Sequence, residues 1–563
     1  MASPGSWRRF AALFPAFAAA ALVVYGPALH GSFVSDDVGY VLGNPWIHEL
    51  SAENLWAILD PTGPAAKHTI NYAPVHLLLH ALDWQAFGSD VLGHHVVNVM
   101  LHALTSVLVA ALFARSGLSF RASAVGGALF LLHPANVEAV AWIFQLKTIA
   151  ALALACGALL AEPRRPALAT IVFGLALLAK IQAAFALPVA AVWLWLGHPA
   201  SPQTRGARLG WLAAWALLLA LTWLPEFGAF ERGGHVELSG AAGPVERLRA
   251  LFSLVGRYLV MAASAYGTST FHQPDAPRSW ADPWCALGLV GTAVLGALAV
   301  LAFRRRSEDA AWWTWTAGGF LPVSQLLGFL YPMADRYLYF ILPGLIGGSA
   351  LVLRAALARV VPPGAQPALR RAAAVLAIAV LAACAWRSSV RADVWRSEIT
   401  LMIDAAAHYP DGMQANLLRA QSAARRGDAD TVAASLRAAS AHGFDRFMDL
   451  DRDPAFASVR DDPAFRAAVR DIAGRWIAAV EPRSDPTSLE LLVLGQAHAT
   501  RGEWELAARS LERAVASGGP GSDEASSELA EVRAKMATEQ AGQGEDGAPP
   551  GASGGGARGE ATP

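Results

Sequence analysis

Apolar segments long enough to cross, or nearly cross, a lipid bilayer follow one another through the first 390 residues of the sequence. In lipid, every backbone amide must find its hydrogen bond inside the protein, so these runs predict helices and an all-α, polytopic membrane bundle. We count about eleven crossings, at residues 10–29, 94–114, 122–142, 148–160, 167–179, 183–196, 209–224, 285–303, 311–330, 337–353 and 372–385.

Arginines cluster at alternate connections between these segments, near residues 8–9, 115–121, 164–165, 205–208, 304–306 and 354–371. The positive-inside rule places those connections in the cytoplasm, with the N-terminus inside and the C-terminus outside. Segment 248–263 is also apolar, but it contains Arg249 and Arg257, and a crossing there would invert the arginines at 304–306. We therefore predict a re-entrant or interfacial helix at 248–263.

Charged residues make up 16% of the chain, and they are concentrated beyond residue 390. Soluble domains carry about 25%. This shift predicts a transmembrane domain at 1–390 with a long external loop at 31–93, an aqueous domain at 391–540, and a disordered tail at 541–563. The net charge of −1 argues against a nucleic-acid partner.

Only four of the 44 basic residues are lysines, and alanine is abundant. This bias favours a bacterial inner membrane, with the C-terminal domain in the periplasm. The first segment can alternatively be a cleaved signal peptide, given Arg8 and Arg9, although its apolar run continues through Leu29 without a clear stop.

The aqueous part has apolar residues at helical spacing, and two stretches fit the 34-residue tetratricopeptide pattern of paired helices. The clearer one comprises Leu494, Gly495, His498, Gly502, Trp504, Ala507, Leu511 and Ala514. The fainter one has Gly427, Leu436 and Ala439 in matching places. Such repeats predict a short solenoid that binds peptide or packs on the membrane domain. The alternative is an ordinary helical domain without a binding role.

The first candidate for chemistry is the acidic pair Asp36-Asp37, a few residues past the first segment. Two adjacent carboxylates at a membrane surface are costly to bury. They can act as a general base toward an acceptor hydroxyl, or hold a divalent metal such as Mg²⁺ or Mn²⁺ beside a phosphate. The alternative is a solvated loop start or a helix cap.

A second cluster lies at another predicted external edge, where His133 and Glu138 are five residues apart and Lys147 follows. These side chains can face one cavity, and Lys147 can bind a phosphate as a point charge. Structural capping by the His-Pro pair explains the spacing equally well.

The third cluster is Asp335-Arg336, where guanidinium geometry suits an anionic lipid phosphate. Its alternative is an Asp–Arg pair that caps a helix. Lys180 and Arg257 are weaker candidates for substrate binding on the same side, since either can simply extend to the headgroups.

These features together resemble the transmembrane-and-tetratricopeptide-repeat O-mannosyltransferases and their bacterial relatives, within the GT-C glycosyltransferase superfamily. The resemblance rests on the acidic pair, on His133-Pro134 through Trp142, on Ala334-Asp335-Arg336-Tyr337-Leu338-Tyr339, and on the C-terminal repeats. It covers roughly residues 10–520. The sequence departs from the family at 145–148, where it reads Gln-Leu-Lys-Thr in place of Gly-Arg-x-Asp, and at Ile181, where an acidic residue is common.

The resemblance implies an inverting transfer of a sugar, in the animal members mannose, from a polyprenyl phosphate to a hydroxyl of an acceptor protein or glycan. It implies that Asp36 or Asp37 is the base or a metal ligand, and that Arg336 contacts the phosphate.

Walker, dinucleotide-binding, nucleophile-elbow and zinc spacings are absent from the sequence, so an enzyme of this kind needs an activated donor delivered by the membrane. Two other classes compete with it. A non-catalytic scaffold would use the repeats to recruit proteins. A transporter would have charged residues at mid-span, whereas here they cluster at the membrane edges.

Overall fold

The computed structural model describes residues 4–69, 71–197, 203–233, 243–326, 331–360, 362, 366–519 and 521–545. Within these ranges the chain is helical and contains no β-strand. It divides into two compact units, residues 1–444 and 445–563. The predicted aqueous domain, which starts at residue 391, therefore contributes its first helices to the first unit.

In its described residues the first unit contains twenty α-helices. In chain order they are α1 (Pro4–Ala11), α2 (Phe14–Leu29), α3 (Ala52–Leu59), α4 (Pro64–Thr69), α5 (Pro74–Phe87), α6 (Val91–Arg115), α7 (Phe120–Leu132), α8 (Val137–Ala141), α9 (Leu146–Ala161), α10 (Pro166–Ala179), α11 (Ala186–Trp195), α12 (Arg205–Gly233), α13 (Pro244–Ser264), α14 (Pro283–Arg305), α15 (Asp309–Phe320), α16 (Leu338–Val360), α17 (Gln366–Val394), α18 (Glu398–His408), α19 (Met413–Ala424) and α20 (Ala429–Ala441).

Seven helices of the described chain are long and apolar enough to cross a membrane, and the chain is accordingly an integral membrane protein. They are Arg8–Leu29, Val91–Arg115, Ile143–Ala161, Arg205–Gly228, Pro283–Arg305, Asp335–Val360 and Pro367–Val394. α7 and the helical segment Pro134–Ala141 together make an eighth, bent by 53°. The polytopic all-α prediction is confirmed, but the count is seven or eight where we expected about eleven.

Proline accounts for part of that difference. Proline has no N–H to donate and its ring disfavours helix at the preceding residue, so the apolar run 122–142 bends at His133-Pro134. The runs at 167–179 and 183–196 form shorter apolar helices, and α15 ends at Phe320, just before Pro322. The end of that predicted segment, at 327–330, lies outside the described residues.

The predicted interfacial segment 248–263 is α13, which is not among the seven candidate spans. α13 packs closely on the first turns of α14: a Cβ on Gly288 would lie only 1.7 Å from the carbonyl oxygen of Phe252. α13 therefore contacts α14 near Pro283, the end of α14 predicted to be external, which is where an interfacial helix would lie.

The loop that follows α2 forms short helices. A small apolar core that includes Val41, Ile47, Ile58, Leu77 and Ile143 holds α3, α4 and α5 against the start of α9. This layer carries the acidic pair at one end of the bundle.

The second unit contains α21 (Phe447–Leu450), α22 (Pro463–Val480), α23 (Ser488–Thr500), α24 (Trp504–Ser517) and α25 (Ser522–Glu545). α25 continues five residues into the predicted disordered tail, and the rest of that tail lies outside the described residues. α23 and α24 are joined by a turn in which Gly502 has φ +79°, a backbone conformation that favours glycine. In the first unit Gly427, at φ +70°, joins α19 to α20 in the same way. Both predicted repeats are thus helix pairs, and their tetratricopeptide class stays a prediction.

Candidate active site

Asp37 is buried in the loop after α2, and its carboxylate holds two backbone segments together. Oδ2 accepts a hydrogen bond from Val34 N at 3.0 Å, and Oδ1 accepts one from Phe144 N at 2.7 Å. Burial raises the pKa of Asp37 to about 8, against the lowering effect of these two N–H donors. Because both oxygens face the backbone, Asp37 positions the loop, and with it the neighbouring Asp36.

Asp36 is partly exposed and faces a basic side chain. Its charge interacts with Lys147, at the start of α9. The Lys147 ammonium lies 3.8 Å from the centroid of the Phe144 ring, the residue whose N–H holds Asp37. The acidic pair and the first turn of α9 therefore form one assembly, although more than 100 residues separate them in sequence.

Lys180 brings a second ammonium to the same place. It lies in extended backbone after α10, and its Nζ donates to Oγ1 of Thr148, the residue directly after Lys147 on α9, at 2.7 Å. The Thr148 hydroxyl in turn donates to Gln145 Oε1 at 2.6 Å. Residues 145–148, where the sequence reads Gln-Leu-Lys-Thr in place of Gly-Arg-x-Asp, therefore support Lys180. The charge of Lys180 interacts with those of Lys147 and Arg336.

Arg336 supplies the third cation and is held by Glu138. The backbone N–H of Arg336 donates to Glu138 Oε2 at 2.7 Å, and its guanidinium is paired with Oε1 of the same carboxylate. The rings of Trp142, Tyr331 and Tyr337 surround the guanidinium, with centroids 5.4, 5.4 and 5.1 Å from Cζ. Glu138, 2% exposed, therefore acts as the partner that orients Arg336.

Glu226, which we did not single out from the sequence, also belongs to this group. It follows Pro225 within α12, its Oε2 accepts a hydrogen bond from Tyr72 N at 2.7 Å, and its charge interacts with both Lys147 and Lys180. In the sequence, Glu226 appears as a single carboxylate just past the apolar run 209–224. That signal is too weak to separate from an ordinary loop residue.

Three other predicted site residues make structural contacts. His133 caps the turn at Pro134: its Nδ1 accepts from Ala135 N at 3.2 Å, and its Nε2 donates to Ala262 O at 3.1 Å. Asp335 Oδ1 lies 2.7 Å from His272 Nε2.

Arg257 of α13 lies over the Trp284 ring, 4.8 Å from its centroid. Its titratable neighbours are Tyr409, Asp282 and Asp275, none of which belongs to the group around Lys147. The structure therefore brings together Asp36, Lys147, Lys180 and Arg336, with Glu138 as a support, and places His133, Asp335 and Arg257 in other contacts.

The acidic pair was also an alternative site for Mg²⁺ or Mn²⁺, and that assignment stays a prediction against which two contacts weigh. Hard cations take several carboxylate, carbonyl and water oxygens. Both oxygens of Asp37 already accept backbone hydrogen bonds, and Asp36 faces the positive charge of Lys147. A different group, His80, Asp83 and His94, has ligand atoms close enough to hold a metal ion.

No protein-family model and no solved structure matches the chain. Curated relatives do match part of it. The chain is 36% identical over 130 residues to "Protein O-mannosyl-transferase Tmtc1" of Drosophila melanogaster, which is 22% of this chain and 15% of the fly protein. It is 35% identical over 153 residues to "Protein O-mannosyl-transferase TMTC1" of Homo sapiens, which is 24% of this chain and 17% of the human protein. A mouse protein of the same name is 32% identical over 150 residues.

The matched stretch thus spans less than a fifth of these curated relatives. Over that stretch, at modest identity, the homologues of this chain are proteins named TMTC1 protein O-mannosyl-transferases.

Proposed function

We propose that this protein is an integral membrane glycosyltransferase of the GT-C type, which moves a sugar from a polyprenyl-phosphate donor to a hydroxyl of an external acceptor protein. The observation that carries the proposal is the convergence of three cations, Lys147, Lys180 and Arg336, next to the partly exposed carboxylate of Asp36. The partial similarity to proteins named O-mannosyl-transferases supports the same class of reaction.

Like charges are brought together at a membrane edge only at a cost in free energy, since each cation disfavours the charged form of its neighbours. An anionic phosphate that binds between them would offset this cost. The phosphate of a polyprenyl donor can reach such a site while its polyprenyl chain stays in the bilayer. The three cations therefore favour a lipid-phosphate ligand over a neutral one.

In the proposed reaction, Asp36 accepts the proton of the acceptor hydroxyl. The hydroxyl oxygen forms a bond to the anomeric carbon, and the bond from that carbon to the phosphate oxygen breaks. Polyprenyl phosphate leaves with the electron pair, and the configuration at the anomeric carbon is inverted. Lys147, Lys180 and Arg336 stabilise the negative charge that develops on the leaving phosphate. Asp37 positions Asp36 and is not itself required to accept the proton.

The proposed location of the protein rests on two features of its sequence. The alternation of arginines favours an external position for the acidic pair and the C-terminal repeats, and the low lysine content favours a bacterial inner membrane, where the repeats would present the acceptor protein.

The test is sugar transfer in purified membranes supplied with a panel of polyprenyl-phosphate sugars and an acceptor extract. We expect wild-type protein to transfer at least one sugar, and we expect Asp36→Asn to lower the rate by about a hundredfold or more, the range for loss of a general base. Asp411→Asn is the matched control, because it makes the same chemical change on a side chain that is 98% exposed. Its rate should equal that of wild type.

Equal transfer by wild type and Asp36→Asn, with both proteins folded and inserted, would refute the assignment of Asp36 as the base. If wild type transferred no sugar and Asp36→Asn rescued a deletion strain as well as wild type did, the protein would be a non-catalytic scaffold instead.

A further inference from the structure

Three buried side chains of metal-ligand type meet at a second place in the first unit. His80 and Asp83 lie on α5, and His94 lies on the first turn of α6. One ligand atom from each lies within 4.8 Å of the others. The exposed fractions are 0%, 8% and 0%, so all three are at least nine-tenths buried. None of them takes part in the reaction proposed above.

Four potential ligand atoms of this group lack hydrogen-bond partners. Neither ring nitrogen of His80 has one, nor does Oδ2 of Asp83 or Nδ1 of His94. Buried polar atoms in proteins are nearly always hydrogen-bonded, and unsatisfied ones in a native structure call for an explanation such as a missing ion. Four such atoms on three neighbouring side chains are unusual for a site that binds nothing.

His94 has the further arrangement that is typical of a metal-binding histidine. Its Nε2 lies 2.9 Å from the carbonyl oxygen of Gly88, to which it donates, so Nδ1 carries the lone pair. Ligating histidines almost always use their second nitrogen in this way, because the hydrogen bond fixes both the tautomer and the ring orientation.

The local sequence explains why the three meet. His80 and Asp83 are three residues apart on α5, and residues at this spacing share a helix face. α5 ends at Phe87, and Asp90 begins α6 by accepting a hydrogen bond from Leu92 N at 3.2 Å. The tight connection between the two helices returns His94 to the face that carries His80 and Asp83.

We propose that His80, Asp83 and His94 bind a divalent transition-metal ion of the zinc class. Two imidazoles and one carboxylate suit zinc, whereas Mg²⁺ and Ca²⁺ prefer oxygen ligands alone. Zinc–ligand bonds of about 2.0–2.1 Å put neighbouring ligand atoms about 3.4 Å apart in a tetrahedral site. The spacing of at most 4.8 Å therefore needs only small side-chain rotations to close on an ion.

Such an ion would link α5 to α6 next to the residues that hold the acidic loop in place. The His80 ring packs against His76, with centroids 4.5 Å apart, and His76 packs against Phe144 at 5.4 Å. Phe144 is the residue whose N–H holds Asp37. The ion therefore has a structural role, and its presence does not depend on whether the protein transfers sugar.

The test is metal binding by the purified full-length protein in detergent, after removal of metal with a chelator. Elemental analysis of the protein as isolated from cells grown with zinc identifies the ion, and titration with Co²⁺, read from the visible absorption of tetrahedral cobalt, gives the stoichiometry. We expect one ion per chain, displaced by Zn²⁺. We expect Asp83→Asn and His80→Gln to lower the occupancy at least tenfold. His68→Gln, which alters an exposed histidine of the same loop, should leave the occupancy unchanged.

Less than about 0.1 equivalent of bound metal in wild type, together with no saturable Co²⁺ spectrum, would overturn the proposal. So would Co²⁺ spectra that are the same in Asp83→Asn as in wild type. If either variant fails to fold, the wild-type stoichiometry and spectrum still decide the question, because a tetrahedral nitrogen–oxygen spectrum at one equivalent is expected only of a built site.

Discussion

The ion pair between Glu138 and Arg336 offers the sharpest test of the site's architecture. Its side chains are 2% and 13% exposed, and the two residues are 198 positions apart in sequence. Removing one partner of a buried pair costs about 3–5 kcal/mol, because the other charge is left without compensation. Glu138→Gln keeps an oxygen that can still accept the Arg336 N–H. We therefore expect a loss of about 3 kcal/mol in the free energy of unfolding, at the lower end of that range.

The measurement is unfolding of the purified protein in mixed micelles, followed by tryptophan fluorescence. A double-mutant cycle with Glu138→Gln, Arg336→Gln and the double variant isolates the pairwise energy. We expect a coupling of about 2–3 kcal/mol. The surface pair Asp411–Arg419, with an N–O distance of 3.8 Å and side chains 98% and 50% exposed, is the control. Exposed pairs contribute about 0–1 kcal/mol, so Asp411→Asn should change stability very little.

A change below about 0.5 kcal/mol for Glu138→Gln, or a coupling below that value, would show that the two side chains do not act as a buried pair. A matching effect on transfer is also expected, since a misaligned Arg336 should stabilise the leaving phosphate less well and lower kcat more than it raises KM for the lipid donor.

Three further changes probe the cations and the acidic loop. Lys180→Met should lower the rate of transfer at least tenfold. Stability should not fall, because the change replaces a desolvated ammonium by an apolar chain of similar length. An unchanged kcat/KM would exclude Lys180 from donor binding. Glu226→Gln removes a negative charge that interacts with Lys147 and Lys180. The KM for the lipid donor should therefore fall, and release of polyprenyl phosphate should slow. A higher KM for the donor would contradict this expectation. The pKa of Asp37 in the folded state, about 8, lies above its unfolded value of 3.8, so the folded state holds the extra proton. The free energy of unfolding should therefore decline as pH rises from about 4 to 8, by at most about 6 kcal/mol. Unfolding measured across this range should show a flatter pH profile in Asp37→Asn than in wild type, and equal slopes would be evidence against the shift.

The predicted helices were mostly correct because hydropathy is a local property. α6, α14 and α17 lie where the apolar runs place them. The bend at His133-Pro134 was missed because a hydropathy window averages over a single proline, whose effect is to remove one hydrogen bond and not to lower apolarity.

The contacts of the site were much less predictable, since they join distant parts of the chain. Sequence inspection selected Glu138 and Arg336 separately as substrate-binding residues, and nothing local indicated that they pair with each other. Similarly, the sequence has no familiar zinc spacing, yet His80 and Asp83 meet His94 through a turn between two helices. Such a group becomes visible only when the geometry of that turn is known.

The charges of the candidate site are balanced in a way that suits the proposed reaction. In the proposed reaction Lys147, Lys180 and Arg336 are taken as positive and Asp36, Glu138 and Glu226 as negative, so their formal charges cancel. A bound polyprenyl-phosphate sugar adds one negative charge. When the sugar leaves, the phosphate gains a second negative charge, while Asp36 loses its own by accepting the hydroxyl proton. The total charge at the candidate site therefore stays the same from the donor complex to the product complex. Because uncompensated charge is costly among partly buried groups, this constancy lowers the free energy of the step that separates charge.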